Sequence, residues 1–381
     1  MNWVAWDKTI APVEFGGLGF GSLRDANLAM LAKWWWRFKT EKEGLWRKVI
    51  WAIHHNPRAW SDILVKISVP GPWKSIISIR QAFLLADIDL NRAVKASVSN
   101  GNRISFWLDC WLEPDPLYIR FPELFKLEKQ KECVVADRVG DGSFGSSFQL
   151  NWNWSCSQFN TVESDQLQQL ISLLGCVNLR VGRDYWRWNY DPSGCFSVSG
   201  LKSLLVSANR ERPNRVFEWN NWVPKKVAIV AWRSEMEKLP TKCALSARNI
   251  PVQDLRCLLC NEYDESSEHL FVSCHFAQII WQNIASWCKI PPIIAFDVKD
   301  LLDLHGYSSV SKKRKKAIHA IVLVTFWGIW RMRNEVTFRQ GSPNTVKVLE
   351  EIKAMAYLWV KNRSKEAQLS WDDWCRFKCF G

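Results

Sequence analysis

Residues 257–274 read CLLCNEYDESSEHLFVSC, and the reading of this stretch organises the rest of the chain. Zinc takes four soft or borderline donors at tetrahedral corners, and three thiolates with one imidazole form a standard structural set. Cys257 and Cys260, two residues apart, can face one ion from a tight turn. His269 and Cys274 are harder to bring together, because residues five apart on a continuous α-helix point about 140° away from each other. The spacing therefore predicts a short helical turn capped by Ser266 or Ser267, with Cys274 at the junction to the next helix. Cys257, Cys260, His269 and Cys274 are the expected ligands of one zinc ion, and His275 is the alternative fourth ligand. A closed set of this kind leaves no open position for water, so the ion is expected to be structural.

Charge around this stretch is uneven. Residues 257–274 contain no Lys or Arg, but carry Glu262, Asp264, Glu265 and Glu268. The preceding residues 201–256 hold eleven basic side chains against five acidic ones. The acidic loop should repel phosphates and brace the fold, leaving Lys225, Lys226, Arg233, Lys238, Lys242 and Arg248 as the candidate contacts to RNA or DNA. The whole chain, 381 residues at a formal charge of +13, is predisposed to polyanions. The basic run at residues 312–316 reads equally as an import or RNA-contact segment and as a solvated charge run.

Twelve cysteines without a leading basic-then-apolar segment point to reduced thiols in the nucleus or cytoplasm and not to secretion. Residues 317–330 are the longest apolar run, too short to span a bilayer, so a buried helix is expected and no membrane partner. Ser22 caps a helical pattern through Leu23, Leu28, Leu31, Trp34, Trp35 and Phe38, preceded by a glycine-rich turn at residues 16–21. A second helix is expected through Leu45, Trp46, Val49, Ile50 and Ile53. Alternation at residues 103–107, the pairs Trp152/Trp154 and Trp186/Trp188, and a turn leading into residues 195–198 suggest short strands. The 25 tryptophans are read mainly as core, with Trp34, Trp107, Trp186, Trp188 and Trp232 in periodic apolar settings. Helices return at residues 224–236, with Pro224 in the first helical position, 241–249 and 275–287. The expected fold is α+β and predominantly α-helical, with helical bundle-like segments, a small β-containing Trp-rich linker and a Cys3His zinc module. Four segments follow: a helical region at 1–99, the β-containing connector at 100–205, the zinc-binding domain at 206–290, and a helical tail with the basic run at 291–381.

The neighbours of the cysteine cluster carry a resemblance. Trp222-Val-Pro224-Lys-Lys226, Ala231-Trp232-Arg233, Leu239-Pro240-Thr241 and Leu245-x-x-Arg248 precede Cys257-x-x-Cys260, Glu265-Ser266 and His269-Leu-Phe-x-x-Cys274 in order. Together they resemble the zinc-binding domain downstream of the reverse transcriptase in plant LINE-type (non-LTR) retroelements. Gly16-Gly17-Leu18-Gly19-Phe20 with Trp34-Trp-Trp36-Arg37, Asp184-x-Trp186-x-Trp188, and Trp327-x-x-Trp330-x-x-Arg333-Asn334 extend the resemblance over nearly the whole chain. It implies nucleic-acid partners and, in longer relatives, a reverse-transcriptase palm. The polymerase carboxylates that hold two magnesium ions find no match: Asp372-Asp373 lacks a following strand and reads as a surface pair. Asp297, Asp300 and Asp303 read as a solvated helix face. No polymerase, endonuclease or RNase H carboxylate set can be assembled. The expected function is thus a non-enzymatic, zinc-stabilised nucleic-acid-binding module. The alternatives are the non-catalytic part of an RNA-directed DNA polymerase polyprotein working with an upstream palm, or a protein-interaction scaffold or degenerate remnant.

Overall fold

Three hydrophobic clusters organise the protein in the computed structural model, which describes residues 3–55, 68–90, 92–140, 150–208, 210–211, 213–306, 310–364 and 369–378. The chain divides into two compact units, Phe20–Arg212 and Met1–Gly19 with Pro213–Gly381. Helix dominates both, and the described strands form one two-stranded sheet.

In the Phe20–Arg212 unit, α1 (Leu23–Thr40) starts where Ser22 Oγ accepts the Asp25 N–H, and it buries Ala29, Ala32, Trp35 and Phe38. Next come α2 (Leu45–His54) and α3 (Pro72–Leu84), the latter burying Trp73, Ile76, Ile79 and Phe83. Strand β1 (Val94–Ser97) pairs antiparallel with β2 (Tyr185–Trp188), Val94 opposite Trp188. The carboxylate of Asp184 accepts the backbone N–H groups of Ser99, Gly101 and Arg103 at 2.7–2.9 Å, fixing the turn beyond β1. A second core in this unit gathers Phe106, Trp107, Phe121 and Leu124 with Leu170 and Leu174 of α4 (Thr161–Leu174). Inside it, Arg138 makes a two-pronged ion pair with Glu128 (3.0 Å each), and the Trp107 indole N–H donates to the same carboxylate.

Several expectations are corrected here. Residues 103–107 do not form a strand: Phe106 and Trp107 are buried consecutively, which breaks the two-residue period, and only Ser105 makes an isolated bridge, to Val134. Trp152 and Trp154 stack at 5.0 Å without a shared strand. Val198 opens helix α5 (Val198–Ala208) because Ser197 Oγ accepts the Gly200 N–H and starts a helical turn. Of the five tryptophans assigned to the core, Trp107, Trp188 and Trp232 are buried, while Trp186 is half-buried. Trp34 is exposed; its neighbour Trp35 takes the core side of α1, and Trp34 packs beside Arg37 and Trp46 instead.

The other unit is built around a single long helix. Its elements include α6 (Lys225–Glu235), α7 (Lys242–Ser246), α8 (His275–Cys288), α9 (Val298–Asp303), α10 (Lys312–Arg339) and α11 (Thr345–Arg363). Residues 317–326 of α10 are buried without interruption, as a helix surrounded by others requires. Among the described residues no helix is long and apolar enough to cross a membrane. At Gly328 there is no room for a side chain against α11: a Cβ there would lie 2.9 Å from Ile352 Cγ1. At the N-terminus, the glycine run makes a tight turn. A Cβ at Gly17 would run into the Ala11 carbonyl, and the Gly16 carbonyl accepts the indole N–H of Trp232. Asp297 and Asp300 form a capping box for α9, and Asp303 is ion-paired with Arg215; all three stay half-exposed. Asp372 and Asp373 are exposed.

Candidate metal centre

The cluster starts from a tight turn in which the Asn261 N–H donates to the Cys257 carbonyl and the Cys257 N–H to the Tyr263 carbonyl, both at 2.7 Å. Asn261 takes up a left-handed conformation (φ 62°) to close it. Ser266 Oγ then accepts the His269 N–H and caps the next turn, as the sequence suggested. That turn, His269–Ser273, is wound as a π-helix, and the Cys274 N–H donates to the His269 carbonyl at 2.7 Å. This winding solves the five-residue spacing. An i→i+5 bond places residues five apart above one another, where an α-helix would splay them. Cys274 is also the N-cap of α8.

One ligand atom from each of Cys257, Cys260, His269 and Cys274 lies within 4.8 Å of all the others. Cys257 and Cys274 are fully buried and His269 nearly so. The two sulfurs Cys257 Sγ and Cys274 Sγ are 4.0 Å apart, close to the ~3.8 Å edge of a tetrahedron with 2.3 Å metal–sulfur bonds. Cys260 Sγ lies 3.3 Å from His269 Nε2, and His269 Nδ1 lies 3.3 Å from Ser273 Oγ. With Nδ1 held by the hydroxyl, Nε2 is the ring nitrogen turned to the sulfurs, the usual arrangement for a ligating histidine. The hydrogen bond from Cys274 draws the Cys257 thiol down to about 5 against its burial, while the same bond and burial push Cys274 up. Three sulfurs and one imidazole nitrogen crowded into a mostly buried space are a donor set that fits a thiophilic cation. His275 is exposed and stands outside this cluster.

A second feature escaped the sequence reading. Glu265, grouped there with the phosphate-repelling acids, is completely buried and bound by Arg333 of α10, which donates to its carboxylate at 2.6, 3.0 and 3.1 Å. Glu265 also accepts the Lys242 N–H through its side chain and the Cys243 N–H through its carbonyl. The acidic loop is thus clamped to the central helix and to the start of α7. Glu265 and Arg333 were both within conspicuous motifs, but 68 positions separate them and no local pattern pairs them.

The six candidate nucleic-acid contacts fall into two groups. Lys225, Lys226 and Lys238 are exposed. Arg233, Lys242 and Arg248 are half-buried and donate to backbone carbonyls, those of Lys238, Arg256 and Trp3 respectively. The Arg233 and Arg248 guanidinium groups also face the Trp3 ring, at 5.8 and 4.1 Å from its centroid. Burial and the neighbouring Arg248 charge lower the pKa of Arg233. Residues 312–316 form the opening of α10, with Ser311 Oγ accepting the Arg314 N–H.

Comparison with known proteins bears on this centre. A family model described as zinc-binding in reverse transcriptase matches residues 196–281, a stretch that contains all four cluster residues. An Arabidopsis thaliana protein carrying the name "Putative ribonuclease H protein" is 26% identical over 291 residues, 74% of this chain and 44% of its own length. The chain therefore spans less than half the length of the curated relative it matches. No solved structure matches.

Proposed function

We propose that this chain is a zinc-stabilised nucleic-acid-binding module derived from a retroelement reverse transcriptase of the plant LINE type, acting in the nucleus or cytoplasm without catalysis of its own. The observation that carries the reading is the convergence of Cys257, Cys260, His269 and Cys274 inside the segment similar to reverse-transcriptase zinc-binding domains. One zinc ion would supply a fixed tetrahedral cross-link there, with no open coordination position for chemistry. The π-wound turn sets the ligand spacing, Ser273 orients His269, and the Glu265–Arg333 clamp seats the loop on α10.

Nucleic acid would be held electrostatically. The exposed ammonium groups of Lys225, Lys226 and Lys238 neutralise phosphates and release counterions, while Arg233, Lys242 and Arg248 offer whichever donors their carbonyl bonds leave over. A second reading, the non-catalytic part of an RNA-directed DNA polymerase polyprotein that works with an upstream palm, is favoured by the greater length of the matched relative.

The test is binding of a labelled RNA hairpin and a DNA duplex to zinc-loaded protein across a salt series. The module is supported by saturable binding that falls steeply with salt. On duplex DNA the slope should shrink by about 0.9 for each phosphate that the Lys225→Ala, Lys226→Ala, Lys238→Ala variant no longer neutralises. Absence of binding at low salt, or a slope unchanged in that variant, overturns it and leaves a protein-interaction scaffold or a remnant.

A further inference from the structure

Another group of possible ligands gathers away from the cysteines. Glu218 precedes α6, His305 follows the end of α9, and His319 lies on a buried turn of α10. One ligand atom from each lies within 4.8 Å of the other two. His305 Nε2 is 2.9 Å from Glu218 Oε2, and His319 Nδ1 is 3.8 Å from Glu218 Oε1.

The hydrogen-bond pattern makes this group unusual. His305 Nδ1 lies 3.0 Å from the Leu302 carbonyl, which can only accept, so Nδ1 carries a proton. Nε2 then faces a carboxylate oxygen at 2.9 Å, and the place between the two atoms is one that a positive centre, a proton or a metal ion, fills. A histidine that donates one ring N–H to a backbone carbonyl while its other nitrogen faces a carboxylate and a second imidazole is arranged as metal-ligating histidines are. His319 is buried on α10, with Nδ1 turned toward the same carboxylate.

We propose that Glu218, His305 and His319 form a second metal site, independent of the Cys3His cluster, that takes a borderline divalent transition-metal ion such as zinc. Imidazole nitrogen and carboxylate oxygen are the donors that suit such ions, and no thiolate is present to draw a softer one. Three protein ligands leave the fourth position to water. The two rings now stack with centroids 4.4 Å apart, so binding requires His305 to swing off His319 until both nitrogens point at one ion. His305 lies beyond the end of α9 and His319 within α10. Bound there, the ion would tie together the segment before α6, the end of α9 and the middle of α10, and would stabilise the fold by mass action.

The experiment is a metal titration of the full chain, first stripped and then reloaded with Co2+, which reports thiolate ligation through a charge-transfer band and nitrogen–oxygen ligation without one. The expected result is two ions per chain, only the first raising the thiolate band. The His305→Gln and Glu218→Gln variants, each checked for folding by near-UV circular dichroism, should keep that band in full. Each should bind the second ion at least about 100-fold more weakly, since even outer-shell partners are worth up to that much. One ion per chain in the unsubstituted protein, or a second ion indifferent to both variants, overturns the proposal. Loss of the thiolate band alone would count against the Cys3His reading and not against this one.

Discussion

Replacing Arg333 with Met should detach the acidic loop from α10. Glu265 has no side-chain exposure and Arg333 has 3%, so the pair is sheltered from solvent on both sides. Removing the guanidinium leaves a buried carboxylate that retains, among the described side-chain bonds, only the Lys242 N–H at 3.0 Å. Breaking a buried ion pair from one side costs about 3–5 kcal/mol, because the remaining charge is left uncompensated. In a unit of roughly 150–250 residues each kcal/mol shifts the melting temperature by about 2–4 °C, so the drop should be roughly 6–20 °C. Calorimetry on metal-saturated protein is the assay, and the transition of the unit containing Glu265 is the one that should move. The double variant Arg333→Met, Glu265→Leu should recover part of the loss, since it removes the orphaned charge. It should not recover all of it, because the Lys242 N–H loses its acceptor at a cost of about 1–3 kcal/mol. A drop below about 2 °C in the single variant, or a double variant no better than the single one, would refute the clamp.

Other consequences are simpler. Trp107→Ala should cost about 3–5 kcal/mol, since the indole is fully buried and donates to Glu128, whereas Trp34→Ala should cost less than about 1 kcal/mol; urea titration separates the two. Gly328→Val should lower stability by about 1–3 kcal/mol through overpacking against Ile352, and the companion change Ile352→Ala should relieve that overlap, as a double-mutant cycle in urea would show by a favourable coupling. Burial alone would raise the Asp109 carboxyl, but Lys42 at 2.7 Å, Lys39 and the Ser105 N–H bring it below its ordinary value. Its folded pKa is depressed, so its contribution is complete above about pH 4 and is lost as the pH falls through the lower folded value. Stability measured from pH 6 to pH 2 should therefore fall less steeply in Asp109→Asn.

Features written in local spacing were legible before any fold was known. The Cys3His cluster, its cap at Ser266 or Ser267 and Cys274 at the head of α8 follow from which residues can meet over a few turns of chain. The helices through Leu23 and Leu45 follow from apolar periodicity, a property of neighbours three and four apart, and the helix at 317–330 from an apolar run too short to span a bilayer. The two-stranded pairing was half-legible: Trp186 and Trp188 mark one strand, but nothing local marks Val94–Ser97 as its partner. Long-range packing settled the rest. It chose between Trp34 and Trp35, adjacent and alike, by which of them faces the packing helices. It turned residues 103–107 away from a strand because Phe106 and Trp107 both had a core to enter. It converted Glu265 from a solvated acid into the buried half of an ion pair with Arg333, and it brought Glu218, His305 and His319 together. Each of these depends on side chains that meet only after distant segments pack, and the free energy of burying a charge or a ring is set by that partner, which local spacing does not encode.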